Sequence, residues 1–194
     1  MFRLSGGFTL RLEQIVTFFP GPNTLELKKK YNQYKIYTND DLEKDLHKGF
    51  YTTNVSVSYS PILEAGDIVT NTMTNRTAIV SPESTNKVMP QNIIKLSFNK
   101  CGDAWYLCYL LNESQTVKHQ LYNIMEGSIL RRVTLRNLRQ LEIKLPNLGE
   151  QQEIGKLYRL LLIKERQQNE YQNKLKQAIL EIINKEDING EYNQ

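Results

Sequence analysis

Residues 71–76, Asn-Thr-Met-Thr-Asn-Arg, are rich in side chains that can hydrogen-bond to the edges of DNA bases. Asn pairs with adenine through two hydrogen bonds, Arg pairs with guanine in the same way, and Thr contacts either base. The pattern therefore predicts DNA contacts from Asn71, Thr72, Thr74, Asn75 and Arg76. A hairpin loop whose polar side chains are solvated is the alternative interpretation.

Two other stretches carry positive charge next to turn residues. Lys28-Lys29-Lys30 is a run of three cations, and Arg131-Arg132 follows Gly127-Ser128. Any accessible cation can contact a phosphate, whereas base recognition needs paired hydrogen bonds. The further predicted DNA contacts are Lys28, Lys29, Lys30, Ser128, Arg131 and Arg132. A solvated helix end or sheet edge would carry the same charges without binding DNA.

The positive charge is concentrated in the first part of the chain. Residues 1–147 hold 18 Lys and Arg against 13 Asp and Glu, a balance of +5, and residues 148–194 hold 7 against 8, a balance of −1. The sum is the net charge of +4 for the whole chain. A mild basic excess permits nucleic-acid binding and does not by itself demonstrate it.

The sequence has no convincing catalytic pattern. Glu142-Ile143-Lys144 matches half of a nuclease site but has no partner aspartate on a neighbouring strand, and no Pro-Pro pair of the kind a DNA methyltransferase uses is present. A phosphate-binding Walker loop is absent, and His47 and His119 belong to no catalytic grouping. We therefore expect a protein without catalytic activity and with no metal or cofactor of its own.

Composition is typical of a globular protein with reduced thiols. Cys101 and Cys108 lie seven residues apart with no metal-ligand spacing, which favours two free cysteines. No apolar run approaches the roughly 18 residues that a membrane span needs. The opening residues MFRLSGGFTLRL resemble neither a signal peptide nor a transit sequence, so we expect a cytoplasmic protein without membrane contact.

The elements that would position these residues are of mixed type. Apolar spacing predicts a helix from a Thr9 cap through Phe19, a short helix capped by Asn39, and helices over 103–111 and 114–124. Alternation predicts strands at 34–38, 55–59, 67–69, 77–80, 93–98 and 141–145. We expect one α+β domain over residues 1–147, built on a curved mixed or antiparallel sheet with flanking helices.

After Pro146 the pattern changes to one long helix over residues 148–185, followed by a tail at 186–194. An apolar stripe that repeats every 3.5 residues over four heptads is typical of a coiled coil, because such a stripe must pack against another helix. The predicted helix-pairing residues are Ile154, Leu157, Leu161, Gln168, Tyr171, Leu175, Ala178 and Ile182. The polar middle at Lys164 and Gln168 would fix the register of the pair.

Several motifs together resemble one known family. The run Leu145-Pro146-Asn147-Leu148-Gly149-Glu150-Gln151, followed by Ile154, is similar to the L-P-x-L-x-E-Q-x-x-I pattern that ends a target recognition domain in the DNA specificity subunit of type I restriction–modification enzymes. AGDIVTNTMTNRTAIV, DAWYLCYLL and GSILRRVTLRNLRQLEI resemble three upstream parts of the same domain. Asn147 stands where the family usually has a second proline.

The resemblance implies a half-size subunit. Family members typically carry two recognition domains and two antiparallel helices, whereas this chain has one of each, so a second copy would complete the arrangement. Such a dimer would read a bipartite, palindromic site on double-stranded DNA. A spacer of about 37 residues at roughly 1.5 Å each gives about 55 Å, or at most about 16 base pairs.

The resemblance also implies partners. Methyltransferase subunits, and through them a restriction subunit, would hold S-adenosylmethionine, ATP and magnesium, and this chain would position them. A coiled-coil scaffold whose globular head binds another protein is the alternative. Salt-sensitive binding to duplex DNA would separate the two functions.

Overall fold

The computed structural model describes residues 8–52, 59–126 and 133–191. Its strands are β1 (Phe8–Arg11), β2 (Val16–Pro20), β3 (Lys35–Ile36), β4 (Ile68–Asn71), β5 (Arg76–Ile79), β6 (Lys87–Val88), β7 (Ile93–Phe98) and β8 (Glu142–Leu145). Its helices are α1 (Leu12–Ile15), α2 (Thr24–Lys30), α3 (Asn39–Lys48), α4 (Ala104–Asn112), α5 (Gln115–Glu126), α6 (Leu135–Gln140) and α7 (Leu148–Glu191).

The main sheet has four antiparallel strands in the order β2-β7-β4-β5. Ile68 faces Leu96 on one side and Ile79 on the other, and all three side chains are buried. Two smaller sheets pair β1 with β8 and β3 with β6. The α+β class and the long C-terminal helix are therefore confirmed, as are strands close to the predicted 67–69, 77–80 and 93–98.

The predicted helix from Thr9 to Phe19 is wrong beyond Ile15. Only Leu12–Ile15 is helical, and Thr9 lies in β1 opposite Lys144 instead of capping a helix. Val16 and Phe18 point into the core because the segment that holds them pairs with β7. Long-range strand pairing thus overrides a local apolar spacing that fits a helix.

Other local predictions need smaller corrections. The strand expected at 34–38 is only two residues long, and Thr38, instead of Asn39, caps α3. Its hydroxyl accepts a hydrogen bond from the Asp41 N–H at 3.2 Å, and the Asp41 carboxylate accepts one from the Thr38 N–H at 3.0 Å. Residues 53–58, with most of another predicted strand, lie outside the described residues.

A buried ion pair joins the central strand to the turn before β4. The Lys95 ammonium lies 2.7 Å from the Asp67 carboxylate, and the Lys95 residue is only 1% exposed. Asp67 also accepts a hydrogen bond from the Glu64 N–H at 2.8 Å, and Gly66 adopts a positive φ of 96° in the same turn. Burial raises the pKa of the Asp67 carboxyl, and Lys95 opposes that rise. The Gly-Asp-Ile motif therefore holds the hairpin in place.

The first turns of α7 pack against the domain that precedes them. Four α7 residues, spaced along one helix face, are buried there: Gln151, Gly155, Tyr158 and Leu162. Gln151 accepts a hydrogen bond from the Asp103 N–H at 3.2 Å and donates one to the Pro146 carbonyl at 2.8 Å. The side chain of Gln151 thereby ties α7 to the start of α4.

Asn112 extends this junction into the sheet. Its carbonyl accepts a hydrogen bond from the Thr77 N–H at 2.8 Å, and its amide donates to the Thr77 carbonyl at 2.8 Å. The same amide group donates to the Tyr158 hydroxyl at 3.1 Å. One buried side chain at the end of α4 thus bonds both the edge strand β5 and α7, which satisfies polar groups that would be costly to bury alone.

Beyond Leu162 the long helix has few contacts with the domain. From Gln167 to Lys185 every residue is exposed, and among the predicted pairing residues Leu157 is 66% and Tyr171 is 64% exposed. Ile154 alone in that set packs partly against the core. Because the docked face and the apolar stripe diverge after Ile154, the stripe is left open from Leu157 onward. The division into a domain, a helix and a tail stays a prediction, and α7 itself continues to Glu191.

Close approach at Gly155 generates a testable prediction for stability. A Cβ at this position would lie 2.2 Å from Asp103 Oδ1 and 2.7 Å from the Tyr106 backbone nitrogen. We expect Gly155→Ala to lower the free energy of unfolding by about 1–3 kcal/mol, as overpacking does, although Ala is the better helix former. Urea unfolding followed by circular dichroism measures the change.

Gly149→Ala in the same helix is the matched control, since the atom nearest to its added Cβ is Asn147 Oδ1 at 3.3 Å. We expect it to leave the unfolding midpoint nearly unchanged. Equal midpoints for both variants would contradict a tight junction at Gly155.

Candidate nucleic-acid interface

The turn between β4 and β5 is built by asparagines. Asn71 Oδ1 accepts a hydrogen bond from the Met73 N–H at 2.9 Å, and the Asn75 N–H donates to the Asn71 carbonyl at 2.8 Å. Asn75 adopts a left-handed φ of 55°, a conformation that Asn tolerates better than most residues. The sequence Asn-Thr-Met-Thr-Asn therefore makes a compact turn with its tip, at Met73 and Thr74, exposed.

Asn71 lies beneath this tip and is only 2% exposed. Its side-chain Nδ2 donates to Asn39 Oδ1 at 3.1 Å, and its side-chain Oδ1 also accepts a hydrogen bond from Asn92 Nδ2 at 3.2 Å. Thr74 donates to the same Asn39 oxygen at 3.2 Å. The structure thus engages Asn71 in positioning the turn, and its contact with a base stays a prediction.

Arg76 is held by two carboxylates. Its Nε lies 3.2 Å from Glu43 Oε1, its Nη1 lies 3.6 Å from Glu113 Oε1, and 28% of its side chain is exposed. The two acidic partners come from α3 and from the residue after α4. Because they balance its charge, Arg76 contributes less attraction for phosphate than a free cation would. Its contact with DNA stays a prediction.

Beside the turn lies an open cleft of about 830 Å³. One wall is the segment from Pro20 to Leu27 at the start of α2, and another is formed by Thr72 and Met73. The remaining lining comes from two segments, Pro90–Asn92 with Ile94, and Val133–Leu135. The fold therefore brings four segments that are far apart in the sequence to one concave surface.

The lysine run lies at the end of the helix that begins in this cleft. Asn23 caps α2 by accepting a hydrogen bond from the Glu26 N–H at 2.9 Å, and Lys28, Lys29 and Lys30 form the last turn. All three lysines are exposed. Lys30 pairs with Glu26 at 3.0 Å, and this hydrogen bond raises the pKa of the Lys30 ammonium. Within the described residues, no carboxylate lies at ion-pair distance from Lys28 or Lys29.

Gln91 and Asn92 are polar residues of the cleft that the sequence did not single out. Gln91 is exposed. The backbone carbonyl of Asn92 accepts hydrogen bonds from the Thr72 N–H at 2.9 Å and from the Thr72 hydroxyl at 3.2 Å. Their position beside the β4–β5 turn follows from the pairing of β7 with β4. In the sequence, the only sign that Gln91 and Asn92 belong to a site is that two amide side chains lie in a Pro-Gln-Asn turn before a buried strand.

Ser128, Arg131 and Arg132 lie outside the described residues, while Val133 and Thr134, which follow them in the chain, line the cleft. Thr134 accepts a hydrogen bond from the Asn137 N–H at 3.3 Å and so caps α6. In the described ranges no group of three His, Cys, Asp or Glu side chains could hold a metal ion. None of the helices in those ranges is long and apolar enough to cross a membrane.

Comparisons with known proteins agree on one family. Residues 9–181 match the family described as the type I restriction modification DNA specificity domain. No curated protein sequence matches this chain. Among solved structures, the chain is similar to the HsdS subunit from Thermoanaerobacter tengcongensis, with 18% identity and a TM-score of 0.50 over 84% of this chain and 38% of that one.

Two other structures have the same fold. One, described as the basis of complex assembly and conformational transition of the type I R-M system, is 18% identical with a TM-score of 0.54 over 91% of this chain and 45% of that one. The S subunit of a type I restriction-modification system from M. genitalium is 13% identical with a TM-score of 0.51 over 91% and 43%. This chain thus spans less than half the length of those it matches.

The family match covers nearly the whole chain, and the fold agrees with it. The chain belongs to the type I restriction modification DNA specificity domain family.

Proposed function

We propose that this chain reads DNA sequence for a type I restriction–modification system and carries out no chemistry itself. The observation that supports the proposal best is the cleft, where the exposed β4–β5 turn, the Gln91 loop and the start of α2 converge. The surface is concave and carries amide and hydroxyl side chains, and three lysines form the last turn of α2, the helix whose start lines the cleft. Amide and hydroxyl groups can hydrogen-bond to base edges, and lysines can contact phosphates.

Within this proposal the residues have different roles. Gln91, Thr72 and Thr74 face the bases together with Asn75, whereas Lys28 and Lys29 contact the backbone. Asn71 and Arg76 hold the turn through Asn39, Glu43 and Glu113. Arg131 and Arg132, which precede Val133 in the sequence, remain proposed DNA contacts. A turn braced in this way presents its tip with little loss of conformational freedom on binding.

The exposed stripe of α7 supports a second proposal, pairing with another copy of this chain. Apolar residues at heptad spacing along α7 are exposed, and an identical helix offers a matching surface. Antiparallel pairing would place one recognition domain at each end and make the dimer two-fold symmetric, so that it reads a palindromic, bipartite site. A two-fold interface needs no second gene product.

The remaining partners follow from this role. Methyltransferase subunits would dock on the dimer and bind S-adenosylmethionine, and a restriction subunit would supply the ATP- and magnesium-dependent steps. This chain would contribute the position on DNA at which they act. The competing proposal, a coiled-coil scaffold that binds only protein, shares the stripe but gives no role to the polar cleft.

The first prediction concerns the lysine run. We expect the triple variant Lys28→Gln, Lys29→Gln, Lys30→Gln to weaken binding of duplex DNA uniformly across sequences, because phosphate contacts carry no sequence information. The slope of log affinity against log salt should fall by about one for each lost contact. Fluorescence anisotropy at several salt concentrations measures both quantities.

The matched control removes the same charge elsewhere, through Lys44→Gln, Lys100→Gln and Lys176→Gln, which are exposed positions away from the cleft lining. We expect the control to keep the parental salt slope. If the parent chain itself showed no salt-sensitive binding to duplex DNA, the scaffold alternative would replace this proposal.

The second prediction concerns Gln91. A bidentate contact between an amide and a base discriminates by about 1–3 kcal/mol, so Gln91→Ala should reduce the preference for the cognate site by about 5-fold to 150-fold. Binding to random DNA should change little. Gln152→Ala, at an exposed position on α7, serves as the control. Unaltered preference in the Gln91 variant would remove this residue from the reading surface.

The third prediction concerns the dimer. Leu175→Asp places a charge on the stripe, where burial of an unpaired carboxylate is costly, and should shift the mass toward the monomer. Asn173→Asp adds the same charge two residues away and off the stripe, and should leave the dimer intact. Light scattering coupled to size exclusion gives the masses. A Leu175→Asp variant with an unchanged dimer mass would contradict pairing through this face.

A further inference from the structure

The stripe on α7 allows more than one alignment of two antiparallel helices. Its positions form two heptad series, one ending at Leu175 and Ile182, the other at Ala178 and Lys185. In an antiparallel pair, each member of one series faces a member of the other. Three registers bury most of the stripe. From one register to the next, one helix shifts by a heptad relative to the other, and the two-fold axis moves by half a heptad.

Charges beside the stripe discriminate among the three registers. With the axis at Arg166, Glu165 would lie beside the partner's Glu165, and Glu153 would lie beside the partner's Glu181. With the axis at Asn173, Lys174 would lie beside the partner's Lys174. With the axis between Asn169 and Glu170, Glu165 lies beside the partner's Gln172 and Lys174 beside the partner's Gln167. Among the residues that flank the stripe, only this middle register avoids close pairs of like charge, which oppose association.

In the central layer of the middle register, the polar side chains can also hydrogen-bond to each other. It sets Gln168 opposite the partner's Tyr171, and the two-fold axis repeats the pair. An amide and a phenolic hydroxyl can hydrogen-bond to each other, so neither polar group is buried alone. In the register centred at Asn173, Gln168 would face the partner's Ala178 and lose a partner. Around the central layer Leu157 faces the partner's Ile182, and Leu161 faces the partner's Ala178.

We propose that two copies of this chain pair through α7 in the middle register, with Gln168 opposite the partner's Tyr171. The proposal rests on the proposed self-pairing and adds its alignment. The packing of α7 against its own domain does not obstruct this pairing. Arg159 and Ile163 face Gly49, whereas Leu157 and Leu161 are exposed on another side of the helix. The partner's helix therefore runs along the open side.

This register sets the distance between the two recognition domains. The partner's Leu157 lies beside Ile182, which is 25 residues along α7 from Leu157 in the same chain. At roughly 1.5 Å per residue the two docked segments are about 38 Å apart, close to one turn of duplex DNA.

Disulfide trapping tests the register. In a Cys101→Ser background, Leu157→Cys with Ile182→Cys should form a covalent dimer on mild oxidation, seen on a non-reducing gel. Within one chain these two positions are about 38 Å apart along the helix, so any disulfide must join two molecules. The pair Leu157→Cys with Leu175→Cys, displaced by one heptad, is the control and should stay largely monomeric on the gel.

The results separate this inference from the proposed dimer. Efficient trapping through Leu157→Cys with Leu175→Cys, or through Lys164→Cys with Ile182→Cys, would overturn the register while leaving self-pairing in place. A parent chain that is monomeric by light scattering would overturn both. A dimer that traps in none of the three pairs would also overturn this helix alignment.

A charge substitution gives a second measurement without cysteines. Gln172→Lys places a lysine beside the partner's Glu165 twice in the dimer. It should lower the dissociation constant of the dimer about fivefold at low salt. Gln172→Glu should weaken it by a similar factor, and Asn173→Lys, on the outer side of the helix, should leave it nearly unchanged. If Gln172→Lys did not tighten the dimer relative to Gln172→Glu, the middle register would be wrong.

Discussion

The direction in which α7 carries its apolar stripe away from the domain depends on how α7 joins that domain. Gly155 lets the helix backbone approach the start of α4, Gln151 bonds that start and the Pro146 carbonyl, and Tyr158 bonds Asn112. These contacts are polar, buried and directional, so they specify one orientation as well as adding stability. A helix joined through a loose linker would carry the same stripe but could not set the position of a recognition domain.

Polar side chains that bond to one another also hold the β4–β5 turn beside the cleft. Asn71 bonds Asn39, Asn92 and the Met73 N–H, and Arg76 bridges Glu43 and Glu113, so residues that look like DNA contacts brace the turn that carries the tip. The Asp67–Lys95 pair anchors the strand that leads to this turn. A rigid turn loses little entropy when it binds, which favours selective recognition over loose attraction.

Sequence patterns predicted the α+β class, the long C-terminal helix and most strands of the main sheet. They failed between Val16 and Pro20, where apolar spacing fitted a helix but the segment pairs with β7. At the candidate site the pattern singled out the β4–β5 turn and the lysine run, and passed over Gln91. The reason is the same in each case: strand pairing and shared walls of a cleft join residues that are far apart in the chain, and local spacing carries no record of them.

By itself the sequence indicated the family, through the Leu-Pro-x-Leu-x-Glu-Gln run together with three upstream motifs. It also indicated a long helix with a heptad stripe, because turn chemistry and periodicity are local properties. Only the tertiary structure decided which face of that helix docks on the domain and which stays open. It also decided that Asn71 is buried and that the charge of Arg76 is balanced. Those outcomes depend on Asn39, Glu43, Asp103 and Asn112, whose proximity arises only when the sheet and helices close around one core.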